Sequence, residues 1–150
     1  MNEYDVVVLG GGPAGLAAAL ASFNEGMNTL IIERENRLGG ILKQCIHDGF
    51  GLIKFKEKLT GPEYAQRYIE QVLACQIPVL LNTFVLTVEK AGTGFVITLV
   101  NAAQGVEQIK TRSLILATGC RERTAKQVFI NGTRPAGVFT AGTAQHLVNI

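Results

Sequence analysis

The 150-residue sequence has no tryptophan, two histidines and only 17% charged residues. Its formal net charge of +2 comes from basic residues scattered along the chain, which points away from nucleic acid or a membrane surface as partner. The densest basic group, Lys54 to Lys58, contains Glu57 and reads as a solvated loop. No apolar run approaches the ~20 residues needed to span a bilayer as a helix. The first strand is expected to begin by Asp5, leaving no room for a signal peptide. The three cysteines, Cys45, Cys75 and Cys120, lie far apart and form no CxxC pair. That spacing excludes a zinc site and a disulfide framework and fits a reducing, cytoplasmic setting. There is no Ser/His/Asp arrangement, no set of metal ligands, no internal repeat and no low-complexity tail.

What is present is apolar and patterned. Hydrophobic residues make up 47% of the chain, and its length suits one domain with a real core. "YDVVVLG" is a continuous apolar run ending in glycine, as expected of a strand buried on both faces. "GGPAGLAAALASFNEG" then offers Pro13 near a helix start, an alanine-rich body and Gly26 as a stop. "MNTLIIE" reads as a second short strand, completing a βαβ unit. Gly39 to Gly61 shows no periodicity and is expected to be a long functional loop. Thr60 and Glu63 have capping-box spacing before a helix whose apolar stripe is Ala65, Tyr68, Ile69, Val72 and Leu73. After Pro78 the period changes to two. "TFVLTVEK", "GFVITLV" and "VEQIK" predict a three-stranded antiparallel meander, and "SLILATG" a further buried strand.

Gly10, Gly12 and Gly15 form a GxGxxG between the first strand and its helix, with Pro13 and Ala14 in the same turn. The first glycine permits the tight turn, the second lets the backbone approach a pyrophosphate, and the third lets helix and strand pack closely. The helix start adds unpaired N–H groups and partial positive charge. Glu33, at the end of the second strand, can accept hydrogen bonds from the ribose hydroxyls of an adenosine and would repel a 2′-phosphate. Adjacent Arg34 is a candidate contact that competes with pairing to Glu35.

"VVVLGGGPAGLAAA", Glu33, the pair Gly39–Gly40, the meander and "LILATG" occur together in an order that resembles the two-dinucleotide-binding-domain flavoproteins, the FAD/NAD(P)-dependent pyridine nucleotide–disulfide oxidoreductase superfamily. "GGILKQCIHDGFG", "LTGPEYAQR" and "ATGCRERT…RPAGVFTAGTAQ" look like its FAD-dependent subunits that work beside amine, proline, opine or glycerol-3-phosphate dehydrogenases. The resemblance implies a Rossmann-like α/β domain with a parallel sheet and an antiparallel meander. It implies FAD as cofactor, and NAD(P)H as co-substrate passing hydride to the flavin. It also implies a small-molecule redox substrate and a separate dehydrogenase or electron-transfer subunit as partners. Carried over by residue, Gly10, Gly12, Gly15, Glu33, Gly39 and Gly40 become FAD contacts, Ala117, Thr118 and Gly119 neighbours, and Val85 the backbone contact to adenine.

The superfamily's disulfide reductases carry paired cysteines near the position of Cys45, but here no second cysteine falls within ten residues of it. A dithiol exchange needs a resolving thiol within bonding distance. The bland reading of Cys45 as a packing residue is preferred, leaving flavin as the redox centre. The alternatives are a thiol-dependent peroxidase or disulfide reductase in which His47 activates Cys45, and a non-catalytic FAD-binding electron-transfer module. Arg121 and Arg123 are expected to form a salt-bridging turn with Glu122. Members of the resembled family are longer, with a second glycine-rich domain and a final strand ending in Gly-Asp. "GVFTAGTA" imitates that strand, with Thr143 where the aspartate would stand. Residues 1–150 are therefore expected to be the first FAD-binding part of a larger enzyme.

Overall fold

The computed structural model describes all 150 residues. Strand β1 (Asn2–Leu9) leads through the glycine turn into helix α1 (Pro13–Asn24), and β2 (Thr29–Ile32) returns parallel to β1. A short 3-10 helix at Gly40–Gln44 precedes a small hairpin, β3 (Asp48–Phe50) and β4 (Leu59–Thr60), and then helix α2 (Gly61–Ala74). The segment expected to be a long loop thus contains a 3-10 helix and a hairpin. Its order comes from aromatic packing: Phe55 lies edge-on to Tyr64 and Tyr68, with centroids 5.4 and 5.6 Å away. The expected capping box is formed, with Thr60 N–H donating to Glu63 Oε2 at 2.8 Å and Glu63 N–H to Thr60 Oγ1 at 3.4 Å. Of the expected α2 stripe, Ala65, Tyr68 and Val72 are buried, Ile69 is half-buried and Leu73 is exposed.

Strands β5 (Val79–Leu80), β6 (Thr83–Ala91), β7 (Gly94–Asn101) and β8 (Gly105–Leu116) complete one six-stranded sheet in the order β5-β2-β1-β8-β7-β6. The structure corrects the expected division of the last strands. "VEQIK" and "SLIL" are one 12-residue strand, antiparallel to β7 through Gly105–Thr111 and parallel to β1 through Ile109–Leu116. The polar run Lys110–Ser113 resembles a turn in sequence. In the fold Thr111 is buried and its hydroxyl donates to the Ser113 carbonyl at 2.8 Å, so the strand continues through it. β8 therefore welds the meander to the parallel sheet. Its end is less covered than expected: Leu114 and Ile115 are half-buried and Leu116 is exposed.

Strands β5 and β6 sit at opposite edges of the sheet, yet only Leu81 and Asn82 join them. The sheet must roll until its edges meet. Thr83 N–H donates to the Glu33 carbonyl at 3.0 Å, and Asn101 Nδ2 reaches the Leu81 carbonyl at 3.0 Å, closing the roll. Inside it lie Val7, Leu9, Leu30, Ile32, Ile97, Leu99 and Ile109. On the other face, Val6, Val8 and Ile31 pack against Leu16, Ala19 and Leu20 of α1 and Tyr68 and Val72 of α2. A fully buried Leu16 cut to alanine costs about 2–5 kcal/mol.

Beyond Leu116 the chain has only a 3-10 turn at Ala125–Val128 and helix α3 (Ala141–Asn149). The segment "GVFTAGTA", which imitates the family's strand in sequence, is not a strand. Residues from Ala141 onward form α3 instead, and Thr143 lies in its first turn. Glu122 does not bridge its flanking arginines. Its Oε1 accepts the Gly142 N–H at 2.6 Å, capping α3, whose unpaired first-turn amides attract a carboxylate more strongly than solvated arginines do.

Candidate functional site

Two neighbouring parallel strands, β1 and β8, end side by side. The connection after β1 runs to one side of the sheet through α1, while β8 lies on the other, so their carboxyl ends mark the switch point where open α/β sheets bind ligands. Gly10 follows β1 and Ala117 follows β8, and Ala117 N–H donates to the Leu9 carbonyl at 2.8 Å. A methyl group on Gly10 would run into the Ala117 carbonyl oxygen. One on Gly15 would run into the carbonyl oxygen of Gly10. Both positions thus require glycine for close backbone approach.

Gly12 differs. A Cβ there would meet only the Cα of Gly40, at 3.8 Å, so its front is open. Gly12 is also the N-cap of α1, has no side-chain cap, and is followed by Pro13 in the first turn. The first amides of α1 therefore point into space that no side chain fills. Gly39 N–H donates to the Gly11 carbonyl at 2.8 Å, and a Cβ on Gly40 would stand 2.9 Å from the Gly12 Cα. The two glycine segments make one backbone-lined cradle.

Glu33 is buried beside it. Oε2 accepts the Gly11 N–H at 2.7 Å and Oε1 accepts the Glu35 N–H at 2.8 Å. Sequence reasoning missed Gly11, whose backbone amide fixes the carboxylate and whose Cβ would collide with Leu38. A backbone donor leaves no mark in residue type, although three consecutive glycines were a signal. Each carboxylate oxygen keeps a second lone pair for a ligand.

The structure brings Gly10, Gly12, Gly15, Glu33, Gly39, Gly40 and Ala117 together. Pro13 and Ala14 belong to the same turn, and Thr118 N lies 3.4 Å from the Gly10 Cβ direction. Gly119 is exposed with open space around it. Val85 is half-buried on β6, two residues from the Thr83 amide that bonds Glu33. Arg34 turns to solvent and pairs with Glu35 at 3.4 Å. Cys45 Sγ donates to the Ile41 carbonyl at 3.4 Å, and His47 Nδ1 lies 3.1 Å from the Asp48 carbonyl, so the two side chains are engaged separately. All three cysteines are free thiols. No group of three His, Cys, Asp or Glu side chains could hold a metal, and no helix is long and apolar enough to cross a membrane.

Residues 5–51, the span from β1 through the glycine pair, match the family described as FAD dependent oxidoreductase. The chain is similar, over most of its length, to FAD-dependent and NAD(P)H-using reductases. It is 37% identical over 125 residues to a ferredoxin–NADP reductase of Streptococcus sanguinis, covering 79% of this chain and 36% of the relative. It is 34% identical over 128 residues to the hydrogen cyanide synthase subunit HcnB of Pseudomonas protegens, covering 79% of this chain and 25% of the relative. The thioredoxin reductase structure from Lactococcus lactis superposes with a TM-score of 0.68 at 29% identity, over 81% of this chain and 37% of that one. The chain therefore spans well under half the length of these relatives.

Proposed function

We propose that residues 1–150 form the FAD-binding part of a larger FAD-dependent oxidoreductase. The observation that carries this reading is the open backbone cradle at Gly12 and Gly40, set at the uncapped start of α1 with the buried Glu33 carboxylate beside it. A pyrophosphate suits the cradle because it can accept hydrogen bonds from the free amides of the first turn, while glycine leaves room for its oxygens. Glu33 suits the adenosine ribose, since its free lone pairs accept from hydroxyls and its charge opposes a 2′-phosphate. Gly10, Gly15 and Gly39 hold the backbone in place; Pro13 and Ala14 form the helix start. Val85 stands where an adenine would meet the β6 backbone, and Ala117, Thr118 and Gly119 where the cofactor would leave the β8 end. Arg34 belongs to the same rim.

Bound flavin would supply two-electron redox chemistry, with NAD(P)H as hydride donor in the whole enzyme. This chain's share is grip and orientation: it excludes water from the pyrophosphate and fixes the adenosine end. A small-molecule redox substrate and a separate dehydrogenase or electron-transfer subunit are the proposed partners, and the cytoplasm the proposed location. The thiol-based alternative has no support in the geometry of Cys45 and His47.

Titration of the chain with FAD and, separately, ADP tests the reading through its amide spectrum. Both ligands are expected to shift the amides of Gly11, Gly12, Ala14, Gly15 and Gly40, and Glu33→Ala to weaken each at least tenfold. Unmoved amides at saturating concentrations of both ligands overturn it.

A further inference from the structure

A cleft lies on the far side of the glycine pair from the cradle. Gly40 faces Gly12, but the Cβ direction of Gly39 points the other way, 3.1 Å from Lys43 Cγ and 3.4 Å from Ala65 Cβ. There the loop before the pair, the outer face of α2 and the end of α3 at Asn149 and Ile150 enclose about 600 Å3. That is within the size range of small-molecule sites. Its floor is apolar, with Leu38, Ala65 and Ile69, and its walls include Arg37, Lys43 and the Gln66 amide.

The charges here are unbalanced. Like most basic side chains of this protein, Arg37 and Lys43 have no carboxylate within 4.0 Å; what sets them apart is that both line the same cleft. Lys43 Nζ donates to the Arg37 carbonyl at 3.2 Å, so the lysine is held over the cleft by a neutral group. Partial burial, followed by repulsion from Arg37, holds the Lys43 ammonium below its ordinary range, while the more distant Glu35 and Glu33 pull it back up. Two cations that disfavour one another, above an apolar floor, are an arrangement that an anion would relieve.

We propose that this cleft binds a small carboxylate carried on an apolar body, with Arg37 and Lys43 receiving the carboxylate and Leu38, Ala65 and Ile69 the apolar portion. The fork of Arg37 can donate two parallel hydrogen bonds while Lys43 adds a point charge. Gln66 supplies a further amide at the rim. This site stands on its own residues and does not depend on the FAD reading, since no group in the cradle lines it.

Octanoate is a suitable probe, with 1-octanol and acetate as controls for charge and apolar body. Titrated into the chain and followed by amide chemical shifts, octanoate is expected to move Leu38, Lys43, Ala65, Gln66 and Ile69. Octanol and acetate are expected to bind at least fivefold more weakly. Arg37→Met and Lys43→Met, both at exposed or half-exposed positions, are each expected to weaken octanoate at least fivefold while leaving the ADP-induced shifts of Gly11 and Gly12 unchanged. Equal binding of octanol and octanoate, shifts that fall elsewhere, or full affinity in both variants would each overturn the proposal.

Discussion

Residues 2–116 and residues 117–150 are held together by different physics. Every buried residue lies between Val6 and Thr111, and none lies in the later segment. That segment nevertheless carries Phe129, Ile130, Phe139, Leu147 and Val148, all exposed. The first region rests on a rolled sheet with two apolar faces. Past Ala117, whose amide bonds the Leu9 carbonyl, the second rests on local caps, the Thr124–Gln127 capping box and the Glu122 carboxylate on α3, and on one buried side chain of the first region. That side chain is Gln44, whose amide donates to Gly142 O at 3.4 Å and Gln145 Oε1 at 3.1 Å, while Asn149 Nδ2 donates to the Gln44 carbonyl at 2.7 Å. Burial gives the body cooperativity, whereas the later segment depends on a few polar contacts that can be removed singly.

The largest expected effect falls in the body. Gly15→Ala drives a methyl group into the Gly10 carbonyl, where backbone on both sides prevents a side-chain adjustment. A loss of about 3 kcal/mol is expected, read by urea denaturation, with weaker ADP binding because the helix start must move. A change below about 0.5 kcal/mol would mean that the turn is looser than the packing requires. Gln44→Ala should separate the two regions next. Deleting a buried amide that makes two hydrogen bonds costs about 1–2 kcal/mol. Hydrogen exchange is expected to rise throughout α3 and to stay unchanged in β1 and α1.

Acid sharpens the same contrast. Glu63 caps α2 and Glu122 caps α3, and hydrogen bonds hold both carboxyls below the ordinary 4.5: from the Thr60 backbone and side chain for Glu63, and from the Thr140 side chain and Gly142 N–H for Glu122. A folded-state value below the unfolded one gives stability that is fully present above the unfolded value and is lost as pH falls through the folded one. Both caps therefore weaken below about pH 4.5. Helix α2 retains Ala65, Tyr68 and Val72 in the core, whereas α3 has no buried residue. Exchange protection of α3 is expected to disappear at higher pH than that of α2. Simultaneous loss would place the two helices in one cooperative unit.

The same division explains what the sequence reveals. The βαβ start, the glycine turn and the capping box were legible because each rests on residue types with local mechanisms: glycine for approach, Thr and Glu for caps, an apolar run for a strand. The meander was legible from its alternation. The continuity of β8 was not, because Lys110–Ser113 look like a turn, although Ile109–Thr111 pair with β1 on one side and β7 on the other. The Gly11–Glu33 bond and the Gln44 clasp were also hidden, since they join positions 22 and about 100 residues apart through backbone atoms and amides. Helix α3 is not legible because "GVFTAGTA" has no helical apolar stripe, and the carboxylate that caps it, Glu122, stands 20 residues away.

The smallest expected effect compares two helix ends within the body. Helix α1 ends at Gly26, whose N–H donates to the Phe23 carbonyl at 2.9 Å while Met27 N–H reaches Ser22 O at 3.1 Å. Helix α2 ends in the same pattern, Gln76 N–H to Leu73 O at 2.9 Å and Ile77 N–H to Val72 O at 3.2 Å. Both are Schellman ends, and both need a left-handed residue, with φ of 77° at Gly26 and 53° at Gln76. Only glycine adopts that conformation without a Cβ clash, so Gln76 carries a strain of about 1 kcal/mol that Gly26 avoids. Gln76→Gly should relieve it, and part of the gain is returned to the more flexible unfolded chain, leaving about 0.5 kcal/mol. Gly26→Ala should cost about 1 kcal/mol, since its Cβ would meet nothing within 4 Å and only backbone strain remains. Paired urea titrations check the opposite signs. If both substitutions destabilise, the Gln76 side chain contributes packing that outweighs its backbone conformation.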